Sequence, residues 1–157
     1  MIVKGIKDED FVNYSKPSMF IIFPYCDFKC DREAGCSICQ NSSLAHMPNY
    51  EIPIEEIVKR YMNNPITKAI VCGGLEPFDS YGELYNLIKE FRKYTDDDIV
   101  IYTGYKENKE FKHLIQYKRA LEYLKEFPNI IIKFGRFVPN QEPHYDEVLG
   151  VKLASDN

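Results

Sequence analysis

The chain has 157 residues and a net charge of −4. That length means one domain, residues 1–157, able to bury a sizeable core but short of the roughly 250 residues of a complete eight-stranded β/α barrel. No basic stripe is present, no run approaches the roughly 20 apolar residues of a membrane span, and the segment Met1–Asp10 lacks the layout of a signal peptide, so nucleic acid and membrane are not expected partners and a cytoplasmic location is.

Strand and helix signals alternate along the chain. Met19–Phe23 is short, apolar and ended by Pro24, which predicts a buried strand. Residues 25–50 form a long connection that holds four cysteines, Gly35 and Pro48. Ile54–Tyr61 places apolar residues three and four apart behind acidic residues in its first turn, which predicts a helix. Lys68–Cys72 is the next strand, stopped by Gly73-Gly74. Tyr81–Tyr94 carries Leu84, Leu87, Ile88 and Phe91 at helical spacing. Asp98–Tyr102 reads as a strand stopped by Thr103-Gly104, residues 107–126 as a helical region, and Asn129–Phe134 as a strand ending at Gly135. Apolar strands alternating with helices imply a parallel sheet with helices outside it. Four such units in this length predict an α/β fold of the partial, open β/α-barrel kind.

Loops that follow parallel strands gather on one rim of the sheet, where ligands bind. Here those loops are Cys26–Cys39, Gly73-Gly-Leu-Glu76, Thr103-Gly-Tyr105 and Gly135-Arg136. Sequence-distant motifs are therefore expected to converge.

Four of the five cysteines, Cys26, Cys30, Cys36 and Cys39, fall within fourteen residues. In a reducing compartment such a group points to metal or iron–sulfur ligation rather than disulfides. A four-cysteine zinc site built from the pairs Cys26/Cys30 and Cys36/Cys39 is compatible with the spacing. Cys72 stands apart on a predicted strand and reads as a small core residue. Gly73-Gly74 allows close backbone approach to a ligand, and Glu76 brings a carboxylate to the rim. Thr103 and Tyr105 lie either beside a ligand or at a capped strand end. The Arg136 guanidinium suits a carboxylate partner, either on a ligand or in a salt bridge. His46, His113 and His144 share no ligand spacing and are given no role.

The run Cys26-Asp-Phe-Lys-Cys30, followed by Cys39-Gln-Asn41, resembles the cluster loop of radical S-adenosylmethionine enzymes. In that family three cysteines, spaced by three and two residues, hold three irons of a 4Fe-4S cluster, and the fourth iron stays open for the amino and carboxylate groups of S-adenosylmethionine. Here eight residues separate Cys30 from Cys39. The preferred ligand set is Cys26, Cys30 and Cys39, with Cys36 as the alternate to Cys30. Gly73-Gly-Leu-Glu-Pro77 is similar to the family's Gly-Gly-Glu-Pro motif with Leu75 inserted; either Glu76 or a backbone carbonyl would meet the methionine amino group. The resemblance places Asn41, Gly73, Gly74, Glu76, Thr103, Tyr105 and Arg136 at the cofactor.

Taken with Gly-Gly-Leu-Glu-Pro-Phe-Asp79, Tyr-Thr-Gly-Tyr105 and the tail Gly135-Arg-Phe-Val-Pro139 to Leu149–Asn157, the sequence looks like the activating proteins of anaerobic ribonucleotide reductase. The likeness runs from about residue 18 to the end. It implies reductive cleavage of S-adenosylmethionine, with the 5′-deoxyadenosyl radical taking hydrogen from one glycine of the reductase, and a flavodoxin-type electron donor. The competing expectations are a radical enzyme acting on a small molecule, such as a deazapurine-forming synthase, and a non-enzymatic zinc or iron–sulfur module.

Overall fold

A computed structural model describes residues 1–107 and 115–154, with side chains described outside 115–118. In chain order the elements are β1 (Ile2–Val3), β2 (Gly5–Asp10), β3 (Ser18–Phe23), α1 (Lys29–Ala34), β4 (Tyr50–Glu51), α2 (Ile54–Met62), β5 (Ala69–Gly74), α3 (Tyr81–Phe91), β6 (Asp98–Tyr102), α4 (Ile115–Leu124), β7 (Ile130–Lys133), β8 (His144–Asp146) and β9 (Val151–Leu153). One five-stranded sheet, ordered β2-β3-β5-β6-β7, organises the molecule. β3, β5, β6 and β7 pair in parallel, whereas β2 runs antiparallel to β3 at the edge.

Each strand alternates between two faces. Met19, Ile21 and Phe23, with Ile70, Cys72, Ile99 and Ile101, form one continuous buried layer against the helices. α2 contributes Ile57, Val58 and Tyr61 to it, and α3 contributes Leu84, Leu87, Ile88 and Phe91. Burial of each such large side chain is worth about 1.5–3 kcal/mol. Cys72 is fully buried in this layer, as a core residue should be. α2 carries Glu55 and Glu56 in its first turn and Lys59 and Arg60 in its last, charges that oppose the helix dipole. On the opposite face Val71 and Val100, with Phe20 and Ile131, are covered by Tyr14, Leu149, Val151 and Leu153. Those last three come from the β8–β9 hairpin and its turn.

Several boundaries differ from expectation. The third helix ends at Phe91 rather than Tyr94, since Lys93, Tyr94 and Thr95 close a terminal turn onto Glu90 and Phe91. The long connection 25–50 contains α1 and a single 3-10 turn at Ser42–His46. Of the helical region expected at 107–126, α4 occupies Ile115–Leu124; residues 108–114, with His113, lie outside the described residues, as do 155–157 of the tail. β2 is a strand that local sequence conceals. Gly-Ile-Lys-Asp-Glu-Asp has no apolar alternation, and its conformation comes from the ladder with β3, Gly5 opposite Ile22 and Ile6 opposite Ile21. Its charges suit an edge that must not pair further.

Candidate metal centre

β3 ends at Phe23 and the cysteine loop begins. Tyr25 accepts the Glu76 N–H through its carbonyl at 2.8 Å, which fastens this loop to the one after β5. Phe28 takes a left-handed backbone with φ 53° and starts α1, the helix that carries Cys30. Gly35, φ 67°, ends α1. The eight residues after Cys30 then fold back on themselves. The Asp31 carboxylate accepts the N–H groups of Ile38 and Cys39 at 2.8 and 2.9 Å. This returns Cys39 to the side of Cys30, close enough for their sulfurs to interact. Cys36 rides on the excursion and is exposed.

Cys26, Cys30 and Cys39 border a cavity of about 510 Å³; Cys36 does not. Asn41, Gly73, Gly74, Glu76, Thr103, Tyr105 and Arg136, all expected at the site, border it too. The volume falls within the range of small-molecule sites, about 300–1,000 Å³. The Asn41 amide donates to the Gly74 carbonyl at 2.8 Å. Gly74 sits at φ +84°, and a Cβ there would lie 2.5 Å from Ile22 Cγ2, so glycine is required.

Glu76 is not a solvated rim carboxylate. It is buried and accepts from Phe78 N at 3.0 Å, Thr103 Oγ1 at 2.8 Å and Gly104 N at 2.8 Å. Burial pushes its carboxyl up to about 7, although those three donors favour the charged form. It ties the β5 loop to the β6 loop. Tyr105 is buried rather than a surface residue; its hydroxyl donates to Asp79 at 2.6 Å, and the Lys29 ammonium lies 3.9 Å from its ring centroid. Arg136 has a side chain only 6% exposed and donates to Glu33 of α1 at 3.1 Å. The cysteine helix is thus held to the β6 and β7 loops.

Burial pushes the Cys26 thiol up to about 12, with Glu76, Asp79 and Asp27 adding to the effect against the Phe28 N–H. The Cys30 thiol is pushed up to about 11 by burial and then by Cys39. Such thiols become thiolates on binding a metal cation. Among the described residues the one set of three metal-donor groups within 4.8 Å of one another is Cys26, Asp27 and Asp79. Four sulfurs around one zinc ion, each bonded at about 2.3 Å, need a tighter gathering than these cysteines make. Thiolates on separate corners of an iron–sulfur cube do not, and three soft donors at one end of a ligand-sized cavity fit that group.

The model of the 4Fe-4S single cluster domain family matches residues 18–151. The chain belongs to this family. The match spans all five cysteines, the parallel strands and their rim loops. No curated protein matches the chain. As a 4Fe-4S single cluster domain the protein is an iron–sulfur protein, and the loop with four of its five cysteines is the candidate place for the cluster. Among the described residues no helix is long and apolar enough to cross a membrane.

Sequence reasoning missed three residues of the site. Asp31 acts through backbone N–H groups seven and eight residues away. Asp79 accepts from both Tyr105 and the Asp27 N–H. Lys133, the last residue of β7, is buried on the cavity wall. The signal for Lys133 was present: a lysine closing the run Ile130-Ile-Ile, on the same strand face as Ile131.

Proposed function

We propose that this protein is a radical S-adenosylmethionine activase that forms a glycyl radical on an anaerobic ribonucleotide reductase, drawing electrons from a flavodoxin-type donor. The observation that carries the reading is the convergence of Cys26, Cys30 and Cys39 with the Gly73-Gly74 turn on one ligand-sized cavity, while Cys36 stays outside it. A reduced four-iron cluster held by these cysteines would supply the electron that breaks a carbon–sulfur bond of the sulfonium.

The chain's own residues do the rest. Cys26, Cys30 and Cys39 would hold three irons, and no fourth cysteine borders the cavity to take the last. Gly73 and Gly74 present bare backbone to the methionine end of the cofactor. Asn41 and Glu76 fix the walls of that pocket through Gly74, Thr103 and Gly104. The Lys29–Tyr105 and Glu33–Arg136 contacts hold α1 to the loops after β6 and β7 beside the cavity. On this reading the parallel strands β3, β5, β6 and β7 are the part of a β/α barrel that the family keeps, and the incomplete side admits a glycine-bearing loop.

Anaerobic mixing of the iron-loaded protein with its reductase, S-adenosylmethionine and a low-potential reductant is expected to give a glycyl-radical resonance. Cofactor cleavage without that resonance contradicts the assigned substrate, and absence of cleavage contradicts the activity.

A further inference from the structure

The cavity wall contains one row of residues aligned across four strands. Ile22 pairs with Gly73, the next strand brings Tyr102 alongside, and Tyr102 pairs with Lys133. All four border the cavity. The row is apolar under the cysteine loop and cationic at its far end. Three strand spacings separate Lys133 from β3, the strand that leads into the cysteine loop, roughly 14 Å at about 4.8 Å each.

Lys133 is buried, with a relative exposure of 9%. Among the described residues its ammonium makes one hydrogen bond, to the Phe134 carbonyl at 2.8 Å, and no ion pair. An ammonium has three donors. Burial pushes it down to about 8, against the field of Asp146, and Asp146 engages one oxygen with the Leu149 N–H. The neighbouring phenol of Tyr102 is engaged by the Asn13 carbonyl at 2.6 Å. The other cations bordering the cavity are occupied, Arg136 by Glu33 and Lys29 by the Tyr105 ring. An apolar residue would end this strand at less cost, since an unpaired buried charge is unfavourable.

We propose that Lys133 is a substrate-binding residue, the countercharge for one carboxylate on an acidic side chain of the polypeptide that enters the cavity. This rests on the proposed function, in which the methionine end of the cofactor lies against the cysteines. The cofactor's own carboxylate is then at the opposite end of the row from Lys133. One ammonium matches one carboxylate; a phosphate dianion would call for more donors than this end offers.

The test uses iron-loaded wild type, Lys133→Met and Lys133→Arg under nitrogen. Lys133→Met is expected to weaken binding of the reductase about tenfold or more, with recovery in Lys133→Arg and S-adenosylmethionine affinity unchanged. Without ligands, Lys133→Met is expected to raise the thermal midpoint, because it removes a buried unpaired charge. Unchanged reductase binding overturns the proposal. Weakened S-adenosylmethionine binding instead assigns the carboxylate to the cofactor and overturns it as well. A lowered midpoint makes Lys133 a structural residue and likewise overturns the proposal. Failure of the wild type to bind S-adenosylmethionine or reductase is a separate result, which removes the proposed function and this inference together.

Discussion

Asp31 accepts two backbone N–H groups and thereby brings Cys39 back to Cys30 across an eight-residue excursion. On the proposed reading this arrangement favours Cys30 over Cys36 as the second ligand. Cys30→Ala is expected to lose iron and sulfide, whereas Cys36→Ala keeps both; retention in Cys30→Ala with loss in Cys36→Ala would reverse the ligand choice. Asp31→Ala removes two hydrogen bonds to a charged acceptor, worth about 1.5–3 kcal/mol each, and is expected to release iron to a chelator faster than wild type. The cysteines were legible in the sequence because thiols this dense have few other uses. A preference among them came only through a resemblance, since spacing alone left Cys30 and Cys36 open. Asp31 was not legible, because its partners are N–H groups that every residue carries. Glu76 was found as a site residue, but its burial and its three donors depend on loops from two strands that sequence cannot bring together.

At the scale of elements, the four parallel strands and the helices α2 and α3 follow from apolar periodicity, because each buries a face that its own residues define. The strands that escaped detection are β2 and the short pairs β1–β4 and β8–β9, whose positions depend on partners. The same holds for residues 11–16, which cover the helix-free face of the sheet through Tyr14. Their anchor is Asp98 at the start of β6, which accepts from the Tyr14 hydroxyl at 2.8 Å and from Lys16 at 2.5 Å. Burial alone would raise the Asp98 carboxyl, but these two hydrogen bonds hold it below its ordinary value. A carboxyl depressed by folding stabilises the protein above its unfolded value, and that contribution is lost as the pH falls through the folded value. Asp98→Asn is therefore expected to cost about 1 kcal/mol near neutrality and to flatten the acid side of the stability profile. Urea unfolding of both proteins from neutral to acid pH checks this; parallel curves would contradict it.

For the whole molecule, the parallel order β3-β5-β6-β7 puts four rim loops side by side. That is why residues from Cys26 to Arg136 meet at one cavity. The rim was predictable from strand–loop order, since the loops after parallel strands share an edge. The antiparallel edge and the hairpin that walls the far end were not, because no local pattern announces them. The proposed site holds a 4Fe-4S cluster by three thiolates and leaves one iron open to S-adenosylmethionine. Electron paramagnetic resonance of the reduced, iron-loaded protein, recorded with and without S-adenosylmethionine, tests it most directly. The expected result is a cluster signal whose shape changes when the cofactor is added, in wild type and in Cys36→Ala alike. A signal indifferent to the cofactor, or one whose response appears only after Cys36 is removed, would mean that the fourth iron is already capped.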